Sequence, residues 1–221
     1  MATIVALHGF LGRGSDWERV RADSKADLQW ICPDLFATGA SPPAPPAVDG
    51  PCWLAGYSFG ARLALRWMNE APEKWLGALL LSANPGNFQN EAARAARRAA
   101  DNEWARSFRQ RPWDEVMTQW DAQEVFRDAS VPARAEAGHD REKLASAMEK
   151  FSVGAQFTDL MRLSPRLTWM AGAKDAKFCT LLDDMRDAGF PGVFLRVGGA
   201  GHRILHEAPR AVASALDDLV A

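Results

Sequence analysis

The chain has few of the features that mark disulfide frameworks, metal sites, membrane spans or nucleic-acid binders. Of its 221 residues only three are cysteine. Cys32, Cys52 and Cys179 are odd in number, far apart and without any C-x-x-C or Cys/His spacing, which argues against both a disulfide framework and a zinc site. They read as reduced thiols of a cytoplasmic protein. Lysine and arginine number 26 against 28 aspartate and glutamate, a net charge of -2. No overall basic field exists to draw the chain onto nucleic acid or anionic lipid, so a small molecule is the expected partner. The longest largely apolar run, residues 75–83, falls far short of the roughly 18 residues that a membrane span needs. Residues 1–10, MATIVALHGF, carry no charged leader and run into a glycine-containing turn, so they read as a first strand and not a signal peptide. No internal repeat is present. The one low-complexity stretch, residues 41–46 (SPPAPP), reads as a stiff, extended linker without a binding role. The oligomeric state stays open, a homodimer included.

What is present is a rhythm of strands and helices. At 48% apolar residues the chain can build one substantial core. Short β-rich runs recur at residues 3–7, 28–32, 52–55, 76–81, 167–170 and 193–197, none broken by a charge at its centre. Continuous apolar strands separated by helices predict a parallel sheet covered on both faces. Helices are predicted over 17–24, 58–69, 178–188 and 209–220. The last opens with Pro209, suited to a first helical position, and sets Val212, Leu216, Leu219 and Val220 on one face. Residues 85–165 break the rhythm: this segment is rich in Arg, Ala and Trp and contains no convincing strand. It predicts a helical cap inserted into a core made of residues 1–84 and 166–221. Trp104, Trp113 and Trp120 within it fit a role in packing the cap helices together.

Gly56-Tyr57-Ser58-Phe59-Gly60 matches G-x-S-x-G where a buried strand (CWLAG) meets a helix (FGARLALRWM). In that context the serine hydroxyl projects above the sheet on a strained turn, and only glycine at the flanking positions escapes collision with the neighbouring strand and helix. A serine needs a base, and the base an orienting acid, supplied in the chain order Ser, Asp or Glu, His. Asp175 follows the strand LTWMAG, and His202 follows the strand VFLRV; both fall at carboxyl ends of strands, where open α/β sheets gather reactive groups. The rivals are weaker. His139 sits in a polar stretch (GHDREK) and reads as solvated, His206 either lines the pocket or faces solvent, and Asp183 and Asp184 fall inside a helix. His8 reads as a prop for the loop after the first strand. That loop and the nucleophile turn supply the expected oxyanion hole, the backbone N–H groups of Phe10 and Phe59. Arg62 stands one helical turn after Ser58, aimed at the pocket mouth. Arg94, Arg97 and Arg98 head a cap helix whose basic face fits a solvated surface as well as a pocket wall. Two or more arginines in the pocket would select an anionic, multi-carboxylate substrate, because guanidinium grips carboxylates through two donors.

Taken together, LHGFLGRGSDW at 7–17, GYSFGARLAL at 56–65, NPG at 84–86, R-x-x-x-D-x-x-W at 97–104, WDAQEVF at 120–126, AGAKDAKF at 171–178 and GHRILHEAP at 201–209 resemble the 2-succinyl-6-hydroxy-2,4-cyclohexadiene-1-carboxylate synthases of menaquinone biosynthesis. The resemblance implies the α/β-hydrolase fold with Ser58, Asp175 and His202 as catalytic triad, and Tyr57, Arg62, Arg97, Trp120 and Phe126 lining a carboxylate-rich pocket. It implies a lyase that eliminates pyruvate without an acyl-enzyme and without metal or cofactor. The chain departs from the pattern in three places. The further cap arginine expected before LASAM falls near Glu136, with Arg134 the neighbouring substitute; the turn after the second strand reads DLFATGAS in place of a Gly- and His-rich loop; and the N-terminal part is reduced, beginning at the HG-bearing strand. A carboxylesterase using the same triad, and a non-catalytic ligand-binding relative, are the alternatives, the intact triad speaking against the second.

Overall fold

The computed structural model describes residues 2–36, 44–86, 90–126, 134–159, 162–164 and 166–221. Six strands, β1 (Ala2–Leu7), β2 (Leu28–Ile31), β3 (Cys52–Tyr57), β4 (Trp75–Leu81), β5 (Leu167–Gly172) and β6 (Val193–Val197), form one sheet in the order β2-β1-β3-β4-β5-β6. Every pairing is parallel, as the unbroken apolar runs predict, and β3 and β5 are buried along their whole length. Alternation along each strand splits the core into two layers. Val5, Leu7, Leu54 and Leu80 face one side with Phe59, Leu63 and Trp67 of α2 (Phe59–Glu70). Ile4, Ala6, Ala55, Leu79 and Leu81 face the other, against Val212 and Leu216 of α8 (Pro209–Val220) and Val20 of α1 (Glu18–Asp23).

All six strands lie where the sequence places them, β3 running on to Tyr57 and β5 to Gly172. The first helix is shorter than its apolar pattern suggests, because residues Gly14–Trp17 close a tighter 3-10 turn before α1 begins. Helix α6 (Ala176–Asp187) starts earlier than expected, since the Asp175 side chain accepts the Phe178 N–H and caps it. Of the proline-rich stretch, residues 41–43 lie outside the described residues.

Between β4 and β5 the described residues hold no strand. Helix α3 (Glu91–Gln110) is started by Asn90, whose side chain accepts the Ala93 N–H, and stopped before Pro112; α4 (Trp113–Asp121) and α5 (Arg141–Lys150) follow. Ala105 and Phe108 of α3 share the core with Leu144, Ala145 and Met148 of α5, and Arg109 bridges the same pair of helices through Glu142 (2.8 Å) and Glu149 (2.5 Å). The three tryptophans pack within this segment: Trp104 lies edge-on to Trp120 at 4.9 Å and Trp113 tilts over Phe108 at 6.3 Å. The short α7 (Ile204–Glu207) completes the chain before α8.

Candidate active site

Ser58 occupies the single residue between β3 and α2, with φ 52 and ψ -104. Such a left-handed conformation costs a non-glycine residue on the order of 1–3 kcal/mol and persists only where the surroundings fix it. Here they do. A Cβ on Gly60 would lie 2.2 Å from the Leu7 carbonyl oxygen and one on Gly56 2.6 Å from the Ala61 Cα, so strand, turn and helix meet at contact distance. The Ser58 N–H donates to the Leu81 carbonyl at 2.9 Å.

The Ser58 hydroxyl lies 3.3 Å from His202 Nε2, and His202 Nδ1 lies 2.7 Å from Asp175 Oδ2. Histidine and aspartate are both nearly closed to solvent, 4% and 5% exposed. With one carboxylate oxygen taking the Phe178 N–H at 3.2 Å and the other the imidazole, Asp175 cannot swing away. A carboxylate at Nδ1 holds the proton there and leaves the Nε2 lone pair toward the serine. Two contacts that the sequence does not announce fix the histidine loop. Ser82 donates its hydroxyl to the His202 carbonyl (3.3 Å), and the Lys174 N–H donates to the Ala200 carbonyl (2.8 Å), tying the aspartate and histidine loops together.

The loop after β1 is propped by His8, as its position suggests. The ring is fully buried, accepts the Leu35 N–H at Nε2 (2.9 Å) and lies 2.8 Å from the Gly9 carbonyl through Nδ1, so it is neutral; burial lowers its pKa. The Gly12 N–H closes the turn on the Gly9 carbonyl at 3.0 Å and leaves Phe10 beside Ser58. Phe59 begins α2, where an N–H has no partner within the helix.

Two cavities meet at Ser58 and His202. The larger, about 1120 Å³, is walled by Phe59, Arg62, Arg97, Asp101, Lys177 and Phe178 among others; the smaller, about 250 Å³, by Arg13, Asp16, Tyr57, Arg134, Arg203 and His206 among others. Phe10, Trp120 and Phe126 border both and form an aromatic neck. Phe10 packs on Trp120 at 5.0 Å, and Phe126 stands 6.2 Å from Trp120 and 5.5 Å from the His202 ring.

The expected basic residues divide. Arg62 lines the larger cavity, and among the described residues it forms no ion pair; burial first, and Arg97 second, lower its pKa to about 10, so it stays charged at neutral pH. Arg97 lines the same cavity but is already gripped by Asp101, at 2.8 Å through Nη2. Arg94 and Arg98 turn away, onto the Gly154 carbonyl (3.3 and 3.1 Å) and Glu91. Tyr57 faces the smaller cavity, its phenol pushed up by burial. Arg134 lines that cavity too, ion-paired with Asp121.

His139 is not the solvated side chain its polar neighbours suggest: its ring packs on Trp113 at 5.1 Å and borders the smaller cavity. His206 takes the pocket option. Lys177, Arg203 and Asp101 stand inside stretches that carry the family resemblance, but the sequence assigns none of them a role. Lys177 and Arg203 each lie within two residues of a motif residue, and Arg203 stacks its guanidinium 4.8 Å over Phe126 while reaching Asp121 at 3.3 Å. Asp101 stands in the R-x-x-x-D motif, its partner four residues back on one helix face. Among the described residues no cluster of three His, Cys, Asp or Glu is placed to hold a metal, and no helix is long and apolar enough to cross a membrane.

The parallel sheet, with a serine on the turn between its central strand and the following helix, defines an α/β-hydrolase-fold protein. Solved structures of the same fold include MenH from S. aureus (18% identical, TM-score 0.82, 99% of this chain and 93% of that one) and a thermophilic esterase from Thermogutta terrifontis (19% identical, TM-score 0.72, 100% and 89%). Among curated sequences, a 2-succinyl-6-hydroxy-2,4-cyclohexadiene-1-carboxylate synthase of Yersinia pestis is 31% identical over 209 residues, covering 83% of this chain and 76% of the relative. Its counterpart from Citrobacter koseri is 29% identical over 245 residues, covering 98% and 93%. The chain belongs to this synthase family. No family profile matches it.

Proposed function

We propose that the protein is a lyase of menaquinone biosynthesis that eliminates pyruvate from a carboxylated cyclohexene intermediate to form 2-succinyl-6-hydroxy-2,4-cyclohexadiene-1-carboxylate. Ser58, Asp175 and His202 are the catalytic triad. As the Ser58 hydroxyl gives its proton to His202 Nε2, its oxygen takes the ring proton next to the succinyl carbonyl. The electron pair left behind becomes ring double-bond density as the carbon–oxygen bond to the pyruvate unit breaks and its pair leaves with the oxygen as an enolate; the proton held on His202 goes to the methylene carbon of that enolate, and the unit leaves as pyruvate. Negative charge gathers meanwhile on the carbonyl oxygen, where the N–H groups of Phe10 and Phe59 form the oxyanion hole. No bond to the serine forms. The described helices of the 85–165 segment act as the cap over the larger cavity, with Trp120 and Phe126 against the substrate ring.

The observation that carries the reading is Arg62, a guanidinium facing the larger cavity without an ion pair among the described residues. A half-buried charge in a cavity wall is stabilised when a partner of opposite sign arrives, and a carboxylate of the substrate is that partner. A carboxylesterase would use the same triad on a neutral ester and has no need of such a charge. Side-by-side assays of pyruvate release and of short-chain aryl ester hydrolysis test the assignment. Pyruvate release is the expected dominant activity, and ester turnover alone would overturn it.

A further inference from the structure

The larger cavity carries two guanidinium groups in unequal circumstances, and the difference is the work of one carboxylate. Asp101 is 1% exposed, in the middle of α3, one turn beyond Arg97. It accepts Arg97 Nε at 3.0 Å and 3.1 Å on its two oxygens and Nη2 at 2.8 Å on one of them. Its other side is held as firmly. Ser152 donates its hydroxyl to Oδ2 at 2.7 Å, and that hydroxyl in turn accepts the Gly154 N–H at 3.2 Å. A Cβ on Gly154 would stand 2.6 Å from the Arg94 carbonyl, so the turn bearing Ser152 lies pressed onto α3 and cannot drift.

We infer that Asp101 is a positioning residue for substrate recognition. By taking the Nε edge of Arg97 it leaves the Nη end of the guanidinium as a fixed two-donor fork toward the larger cavity, where a carboxylate of the substrate is received opposite Arg62. The inference rests on reading that cavity as a carboxylate site. A free arginine side chain surrenders rotamer freedom when it grips a ligand, and a guanidinium already locked by an internal carboxylate surrenders much less.

Two effects of Asp101 oppose each other, and their opposition makes the role measurable. Its negative charge weakens the pull of Arg97 on any anion; its grip aims Arg97 at an oriented one. Positioning outweighs charge for a ligand whose carboxylate must meet a planar fork, whereas for a compact, symmetric anion only the charge counts.

The experiment uses the full chain and the variant Asp101→Asn, which keeps the shape and one acceptor but loses the charge-assisted grip. Pyruvate-release kinetics, and calorimetric titration with succinate and separately with sulfate, give three readings, with thermal unfolding as the fold control. The KM for the intermediate should rise about tenfold or more with kcat within about twofold, succinate should weaken by a similar factor, and sulfate should bind unchanged or more tightly. Asp101→Glu should recover part of the succinate affinity. Unchanged KM and succinate affinity would overturn the inference, as would succinate and sulfate weakening together. Should Asp101→Asn fail to fold, Ser152→Ala removes one hydrogen bond from the carboxylate and should raise KM severalfold at constant kcat; no change there overturns the inference as well. If the wild-type protein releases no pyruvate, the lyase assignment falls, while the two titrations still decide the role of Asp101.

Discussion

The sheet and the helical segment between β4 and β5 hold their polar groups in opposite ways. Around the sheet, Asp175, His202 and His8 are fixed by hydrogen bonds of 2.7–3.2 Å, several of them to backbone, in places closed to solvent, and the half-buried Ser58 meets this network at 3.3 Å. In the helical segment the polar order comes from arginines paired with acids, mostly at the surface: Arg109 with Glu142 and Glu149, Arg111 with Glu115, Arg141 with Glu136. Buried hydrogen bonds hold a geometry that salt cannot loosen, whereas exposed pairs are individually weak and screened. The proposed triad thus sits on the half fixed by buried hydrogen bonds, while the helical segment, outside the buried grip of Asp101 on Arg97, is held by pairs that salt loosens.

Ser58→Ala breaks that comparison at its strongest point. The hydroxyl is the only group lost, and its removal leaves the turn, held by Gly56 and Gly60, as it was. Pyruvate release should fall by about 10³-fold or more at unchanged thermal stability, with the residue of rate coming from binding and the oxyanion hole. More than about a tenth of wild-type turnover in a folded variant would remove Ser58 from the mechanism.

Arg62→Ala moves the test to the boundary between the two halves. If Arg62 meets a substrate carboxylate, kcat/KM for the intermediate should drop by roughly 2–5 kcal/mol while turnover of a neutral aryl ester barely changes. Arg62→Lys should rescue only partly, because an ammonium lacks the planar fork. Arg97 is the less clean target: replacing it strands the buried Asp101 carboxylate, so lost stability would mix with lost recognition. Equal losses on charged and neutral substrates would make Arg62 a structural residue and move the esterase reading ahead.

Acidification separates the halves again. Burial holds the His8 imidazole below its ordinary pKa, so the folded protein keeps it neutral while the unfolded chain takes up a proton as pH falls below about 6.5. The stability it provides is therefore complete above that pH and drains away as pH falls. His8→Gln, which retains a donor and an acceptor for Gly9 and Leu35, should show a shallower loss of urea midpoint between pH 7.5 and 5.5 than wild type. Parallel slopes would mean that His8 does not report on the fold.

The same division explains how far the sequence could be read. Strands and the Ser58, Asp175 and His202 positions stand out because each of these residues falls in the loop that follows a strand, and Gly56, Gly60 and Gly172 record the close approach of the backbone at the first two. The helical segment leaves no such mark. Arg94, Arg97 and Arg98 look alike in the chain, and only the packing of α3 against the 152–154 turn decides that Arg97 meets the cavity while its neighbours go to Gly154. The smaller cavity is harder still, since Arg13, Tyr57, Arg134 and His206 come from four separate stretches and no local pattern joins them.

The weakest expected effect is at Arg109, and it states most directly what the helical segment depends on. The guanidinium bonds to Glu142 and Glu149 hold both carboxyls below the usual range, Glu142 down to about 2. The attraction between α3 and α5 that these pairs supply is present above the ordinary glutamate pKa of 4.5 and lost as pH falls toward 2. All three side chains are in contact with water, so the shift overstates the energy, and exposed pairs of this kind contribute under ~1 kcal/mol. Arg109→Ala should therefore leave the global unfolding midpoint nearly unchanged. It should speed hydrogen exchange of α3 and α5 amides at low ionic strength, because local opening of the helical segment needs only its own contacts. In about 1 M salt, where screening falls to about 3 Å, wild type and variant should exchange alike. Faster exchange spreading into β3 and β5 would show that the two halves open as one unit, and the comparison between them would fail.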